Sequence, residues 1–330
     1  MLLLFVLLLL LRHLLSWDEI GRTAAIVSGQ LRSGNMTWRH PLIRQNQAAL
    51  MFGPNDPPTP VETIIQWLFE IIISQGGGLD VFYYVQAHPD HNNSEWDGDP
   101  ATFAPSVGDT RVCEPFLNHN LFNNTGNRFF CLVEPELQLL NSMTNANPAW
   151  ETYGYGEMIF AREQLLQQLY GTYRANIAAK QFSVATGVVY RYKLRVRPDV
   201  ALTRPFVSYD KLKFNATEAG GCRTIIISNK AIMTNGAEDS FNVGYADDMD
   251  HLLDRYVDFT TYPYPDGSIR QWNAEQYLVG LMKVRYNLCL QWLADIWMVP
   301  LRSNSKFHGY TPTGQRWEPT KIYNQWQELT

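Results

Sequence analysis

The stretch Tyr190-Arg191-Tyr192-Lys193-Leu194-Arg195-Val196-Arg197-Pro198-Asp199-Val200-Ala201-Leu202 decides how the rest of the chain is read. Its first seven residues alternate, which is the period of a β-strand. Tyr190, Tyr192, Leu194 and Val196 are expected on one side, and Arg191, Lys193, Arg195 and Arg197 on the other. Pro198 has no amide hydrogen to give to a ladder, so regular pairing should weaken there. Asp199 is then presented where a strand ends, before a second short apolar run. A carboxylate at a strand terminus beside several cations suits a metal–diphosphate site: the carboxylate holds a divalent ion and guanidinium groups neutralise phosphate oxygens. The same alternation also fits an edge strand whose basic face is solvated.

On either side of this stretch the chain reads as strands and helices in turn. Thr23 to Ser28 is a short apolar run, expected as a first buried strand, with Gly29-Gln30-Leu31-Arg32 at its carboxyl end. A helix is expected near Trp38–Leu50, and Gly53–Pro60 is a loop. Val61 to Ser74 carries Ile64, Ile65, Leu68, Ile71 and Ile72 at helical spacing and stops at three glycines, 76–78. Leu79 to Val85 is aromatic and β-branched, a second strand. Strand, helix and strand form a βαβ unit, which implies a parallel sheet.

Residues 88–127 form a loop-rich insertion, with a short strand expected at Arg111-Val112-Cys113. Phe129–Val133 is a further strand. A long amphipathic helix from Glu157 to about Phe182 leads into the opening stretch. Gly220–Ser228 is another buried strand. The segment Asp239–Gly244 precedes a helix from about Ala246 to Val257. Trp272–Leu293 is expected as one helix, and 300–330 as an irregular tail.

With 330 residues, 45% of them hydrophobic and 18% charged, the chain can bury a large core. A net charge of −5 gives no global attraction to nucleic acid, so any polyanion must be met by local cations. There is no G-x-G-x-x-G, no P-loop lysine, no G-x-S-x-G and no H-E-x-x-H, which disfavours dinucleotide, NTPase, α/β-hydrolase and zincin chemistry.

Met1–Leu11 is an unbroken apolar run, short for a membrane span and fitting a signal peptide or signal-anchor over residues 1–16. Asn35-Met36-Thr37, Asn92-Asn93-Ser94, Asn123-Asn124-Thr125 and Asn215-Ala216-Thr217 are glycosylation acceptor triplets. These point to the secretory lumen, Golgi or ER, with membrane contact only through the amino-terminal segment. In an oxidising lumen Cys113 and Cys131 can close a loop, leaving Cys222 and Cys289 as a second pair; buried free thiols are the alternative.

Three motifs in order, Ile-Val-Ser-Gly-Gln-Leu-Arg (26–32), Leu-Asp-Val-Phe-Tyr-Tyr (79–84) and Tyr-Lys-Leu-Arg-Val-Arg-Pro-Asp-Val (192–200), resemble a group of GT-A-like glycosyltransferases found in algae, plants, bacteria and large viruses. Asp-Ser-Phe-Asn-Val-Gly (239–244) and Trp-Asn-Ala-Glu-Gln-Tyr-Leu (272–278) are similar in order and spacing, so the likeness covers about residues 23 to 295. It implies an α/β fold: a single GT-A-like, Rossmann-type domain over 23–299, with a mostly parallel central sheet flanked by helices. It also implies transfer of a sugar from a nucleotide-sugar co-substrate to a glycan or glycoprotein acceptor. Arg197-Pro198-Asp199 stands where other GT-A enzymes have Asp-x-Asp, so a second metal ligand must come from elsewhere.

On this resemblance, Gly29 and Gln30 let the backbone approach the nucleotide, with Arg32 near its phosphates. Asp199 holds Mn²⁺ or Mg²⁺, and Arg197 pairs with phosphate or orients Asp199. Lewis-acid stabilisation of the departing diphosphate is then the main catalytic effect. Asp239, Asp247, Asp248 and Glu275 are candidates for a general base, each also explained as a helix-start or capping charge. A non-catalytic carbohydrate-binding or scaffold protein on this fold and a secreted glycoside hydrolase are the competing readings.

Overall fold

The computed structural model describes residues 21–28, 60–87, 113–117, 119–123, 125–135, 159–198, 200–202, 206, 212, 222–227, 230–231, 236–237, 240–261, 274–292 and 298–300. The amino-terminal run, the expected helix near 38–50, most of the 88–127 insertion and the 300–330 tail beyond Pro300 lie outside them.

The first half is a run of parallel strands joined by helices. β1 (Arg22–Ser28) is followed by α1 (Pro60–Ile64), which continues through a π-helical turn (Ile65–Phe69) into α2 (Glu70–Ser74). β2 (Leu79–Ala87), the short helix α3 (Glu114–Leu117) and β3 (Arg128–Pro135) come next. The 28-residue helix α4 (Ile159–Thr186) then leads to β4 (Tyr190–Val196) and the short β5 (Val200–Leu202). The second half holds β6 (Arg223–Ile227), the hairpin β7 (Lys230–Ala231) and β8 (Gly236–Ala237), and β9 (Phe241–Tyr245). Helices α5 (Ala246–Leu253), α6 (Arg255–Thr261) and α7 (Ala274–Gly280) precede β10 (Leu288–Trp292) and β11 (Met298–Pro300).

Seven strands form one sheet in the order β10-β6-β9-β4-β1-β2-β3. β1, β2, β3 and β4 pair in parallel, β9 runs against both its neighbours, and β10 is parallel to β6. The sheet is thus mostly parallel and mixed through β9, an α/β architecture as expected. Helices cover both faces, as parallel strands require. On one face Val61, Ile64, Leu68, Phe69 and Ile72 pack on Ala25, Val27, Val81, Leu194 and Val196. On the other, Leu165, Leu166 and Leu169 of α4 and Met249, Leu252 and Leu253 of α5 cover Ala24, Ile26, Phe82, Ile225 and Ile227.

β4 corrects two expectations. It is a central strand between β1 and β9, not an edge. Nor does it alternate throughout, because the register with β1 slips between Arg22↔Tyr190 and Thr23↔Tyr192, leaving Arg191 as an extra residue. A bulge reverses the facing of everything beyond it. Tyr190 therefore lies on the α4 face, whereas Tyr192, Leu194 and Val196 lie on the α1–α2 face. Gly21 makes room for the bulge: a Cβ there would lie 2.6 Å from Cβ of Arg191, and its φ of +71° suits glycine. Lys193 and Arg195 are buried, not solvated.

Three further expectations change. Residues 288–292 form a strand, not the end of a helix, because α7 gives way after a π-helical turn at Leu281–Arg285. Phe241–Tyr245, expected only as a segment before a helix, is β9. Cys113 stands at a helical turn, not in a strand. Both cysteine pairs form as disulfides, Cys113–Cys131 and Cys222–Cys289. Among the described residues no helix is long and apolar enough to cross a membrane.

Candidate functional site

The crossover from β1 to β2 passes over one face of the sheet through α1 and α2, and the crossover from β3 to β4 passes over the other through α4. Strand order therefore reverses between β1 and β4. In open α/β sheets, ligands bind outside the carboxyl ends of the strands at such a reversal. The described residues at this mouth are Ser28 of β1, then Arg195, Val196, Arg197 and Pro198 at the end of β4. Ser240 and Asn242 join them, because β9 is antiparallel and starts at this edge.

Helix α4 crosses the sheet closely here. A Cβ on Gly171 would lie 2.9 Å from the Tyr84 ring, so only glycine permits the approach. The next residue, Thr172, donates its hydroxyl proton to the Gln168 carbonyl at 2.9 Å. Its oxygen also lies 2.8 Å from Ser28 Oγ and receives Arg195 Nε at 3.2 Å. Ser28, Thr172 and Arg195 are all fully buried. Arg195 has further interactions besides this one. Opposite it in the β4–β9 ladder stands Asn242, also fully buried, whose amide oxygen and nitrogen have no hydrogen-bond partner among the described residues. The Arg197 amide donates to the Ser240 carbonyl at 3.0 Å, extending that ladder past β4, and Arg197 itself is half-buried.

Beside this row, Tyr84 donates to Glu134 at 3.1 Å, and Arg174 grips the same carboxylate at 2.5 and 3.1 Å. Burial, reinforced by Glu134, pushes the Tyr84 phenol far above its ordinary value, so it stays a neutral donor. Deeper in, Lys193 donates to Asn176 at 2.9 Å and to Asp250 at 2.5 Å. Burial pulls its ammonium down despite Asp250. Lys193 is thus committed to joining β4, α4 and α5, and is not a phosphate ligand.

Of the residues expected at the site, Arg197 is at the mouth. Gly29, Gln30, Arg32, Asp199 and Asp239 lie outside the described residues, although Gly29 directly follows Ser28 and Asp239 directly precedes Ser240 in the chain. Glu275 is the second residue of α7, which packs against β8. Asp248 is not brought there. β9 carries the chain to the opposite edge, where Tyr245 pairs with Tyr192, and Asp248 sits in the first turn of α5. Fully buried, it lies 2.7 Å from Arg223 at the start of β6, though neither carboxylate oxygen is in hydrogen-bond geometry. Burial raises its carboxyl, with Arg223 pulling the other way. Sequence reasoning missed Thr172 and the buried state of Arg195 and Asn242. A glycine inside a long helical pattern was the available signal for the first.

Among the described residues no three His, Cys, Asp or Glu side chains gather as a metal-ligand set. No protein-family model matches the chain, and no curated protein matches it. Among solved structures, the apo form of mouse xyloside xylosyltransferase 1 is similar at 8% identity and a TM-score of 0.35, over 83% of this chain and 84% of that one. The nucleoside-diphosphate-sugar pyrophosphorylase from Vibrio cholerae RC9 is similar at 10% identity and a TM-score of 0.36, over 92% of this chain and 100% of that one. Both TM-scores lie below 0.5, and neither protein's chemistry is carried over on that ground.

Proposed function

We propose that the protein is a glycosyltransferase that moves a sugar from a nucleotide-sugar donor to a glycan or glycoprotein acceptor. The observation that carries the reading is the reversal between β1 and β4. It brings the end of Ser28, which enters Gly29-Gln30-Leu31-Arg32, beside the end of β4, which leaves through Arg197-Pro198-Asp199. A diphosphate set at that mouth would meet Arg197 and Arg32, and guanidinium groups suit phosphate oxygens through paired, charge-assisted hydrogen bonds. Asp199 would hold Mn²⁺ or Mg²⁺ there, and the ion would stabilise charge on the departing diphosphate. Asp239, which precedes Ser240 in the chain, and Glu275 of α7, beside β8, are the bases kept in the proposal. The apolar run 1–11 and the two disulfides support a lumenal setting.

Calorimetric titration with UDP- and GDP-sugars, with and without Mn²⁺, tests the reading. Wild type should bind at least one of them more tightly with the metal. Asp199→Ala should keep its fold and lose at least about tenfold in metal-dependent affinity, the equivalent of 1.4 kcal/mol. Absence of binding to every nucleotide-sugar sends the assignment to the carbohydrate-binding or hydrolase readings. Full binding by Asp199→Ala removes that residue from the site.

A further inference from the structure

We infer that Thr172 is a positioning residue, which sets the spacing of the two strand ends that frame the mouth. The inference deepens the reading above and rests on it for the identity of the ligand. The backbone ladder between β1 and β4 ends at Val27↔Val196. Ser28, the next residue, pairs only with Tyr84 on the other side. At the gap where the ladder stops, the Thr172 hydroxyl supplies the link, reaching Ser28 on one strand and Arg195 on the other.

The proton count fixes the direction of each bond. A threonine hydroxyl has one proton and two acceptor sites. Its proton goes to the Gln168 carbonyl. Both remaining bonds must then be received, one from Arg195 Nε–H and one from Ser28 Oγ–H. Thr172 is thereby saturated, and Ser28 and Arg195 are each held in one orientation. Gly29 follows the first of these in the chain and Arg197 stands two residues beyond the second, so a shift at Thr172 is passed to both halves of the mouth. Gly171 allows this, because any side chain there would lift the helix away from Tyr84 and Ser28.

The test compares Thr172→Val, which keeps shape and loses the hydroxyl, with Thr172→Ser, which keeps the hydroxyl. Two measurements are made on the full chain: affinity for UDP and for GDP with Mn²⁺, and amide hydrogen exchange of the ligand-free protein. In Thr172→Val, affinity should fall by about tenfold, the order expected when one buried hydrogen-bonding group is removed. Exchange should quicken at residues 26–28 and 194–197 while β6 and β10 keep their protection. Thr172→Ser should restore both. Unchanged affinity and exchange in Thr172→Val overturn the inference. So does exchange that quickens evenly across the sheet, which is what a merely structural hydroxyl would give. If wild type binds neither nucleotide, the transferase reading fails, and the exchange pattern alone decides whether Thr172 braces the strand ends.

Discussion

Two buried polar side chains, Asp80 at the amino end of the strands and Asn242 at the carboxyl end, are treated in opposite ways. At the amino end, Asp80 of β2 is fully buried and accepts five hydrogen bonds. Arg22 gives two at 2.7 and 2.5 Å, Arg128 two at 2.8 and 2.7 Å, and the Tyr190 hydroxyl one at 2.8 Å. Arg22 also reaches the Gly126 carbonyl at 2.6 Å, and Arg128 lies over the Phe182 ring. Burial alone would raise the Asp80 carboxyl, but these bonds outweigh it and hold it below the ordinary carboxylate range. At the carboxyl end, by contrast, the Asn242 amide is sealed with neither of its atoms bonded among the described residues. An unmade buried hydrogen bond costs stability, whereas a complete network fixes geometry. Asp80 therefore ties β1, β2, β3 and β4 together, whereas Asn242 costs stability beside the end of β4.

Asp80→Ala should break this contrast with the largest effect. Removing the carboxylate leaves two arginines facing each other without their shared partner, at a cost of about 3 kcal/mol, in the range seen when one side of a buried ion pair is deleted. Urea denaturation would read it, and a loss below about 1 kcal/mol would show that Asp80 is not the anchor described. The pH dependence sharpens the same point. A carboxyl whose folded pKa is depressed contributes stability above its unfolded value, near 3.9, and loses it as pH falls through the lower folded value. The stability gap between wild type and Asp80→Ala should thus hold from neutrality down to about pH 4 and close only below it. Asp248 and Asp258 have raised carboxyls, with burial the largest cause in each, and so change stability in the opposite sense as pH falls. The smallest effect is expected at the other end. Asn242→Val replaces an unbonded amide with a β-branched side chain in a buried strand, and should raise stability by about 1 kcal/mol. A loss there would mean that the amide is bonded in solution.

Much of the framework could be read from the chain. β1, β2, α4 and the strand at 223–227 announce themselves through apolar periodicity, and the βαβ order implied a parallel sheet. β9 and β10 did not. Phe241-Asn242-Val243-Gly244-Tyr245 is five residues long with an asparagine and a glycine inside, so its propensity is weak and its pairing with β4 and β6 decides its state. Leu288–Trp292 follows the helical turn after only Tyr286-Asn287, and its parallel pairing with β6, locked by Cys222–Cys289, decides its state as a strand. At the site, the end of β4 was legible as a strand terminus bearing cations. Which cations were sealed was not, because Lys193 and Arg195 are covered by Asn176 and Thr172 of α4, 17 and 23 positions earlier in the chain.

The extra residue at Arg191 has a consequence for how this chain can vary over generations. It works as a frame marker: Tyr190 before it and Lys193 and Arg195 after it share the α4 face because the strand takes Arg191 out of the ladder. Losing the Arg191 codon would leave a regular strand with both cations still facing α4, whereas losing Leu194 would make Lys193 and Arg195 neighbours and turn one of them into the aliphatic layer of Ile64, Leu68 and Ile72. Descendants of this gene should therefore tolerate the loss of one position at the bulge far more readily than a loss between the two cations.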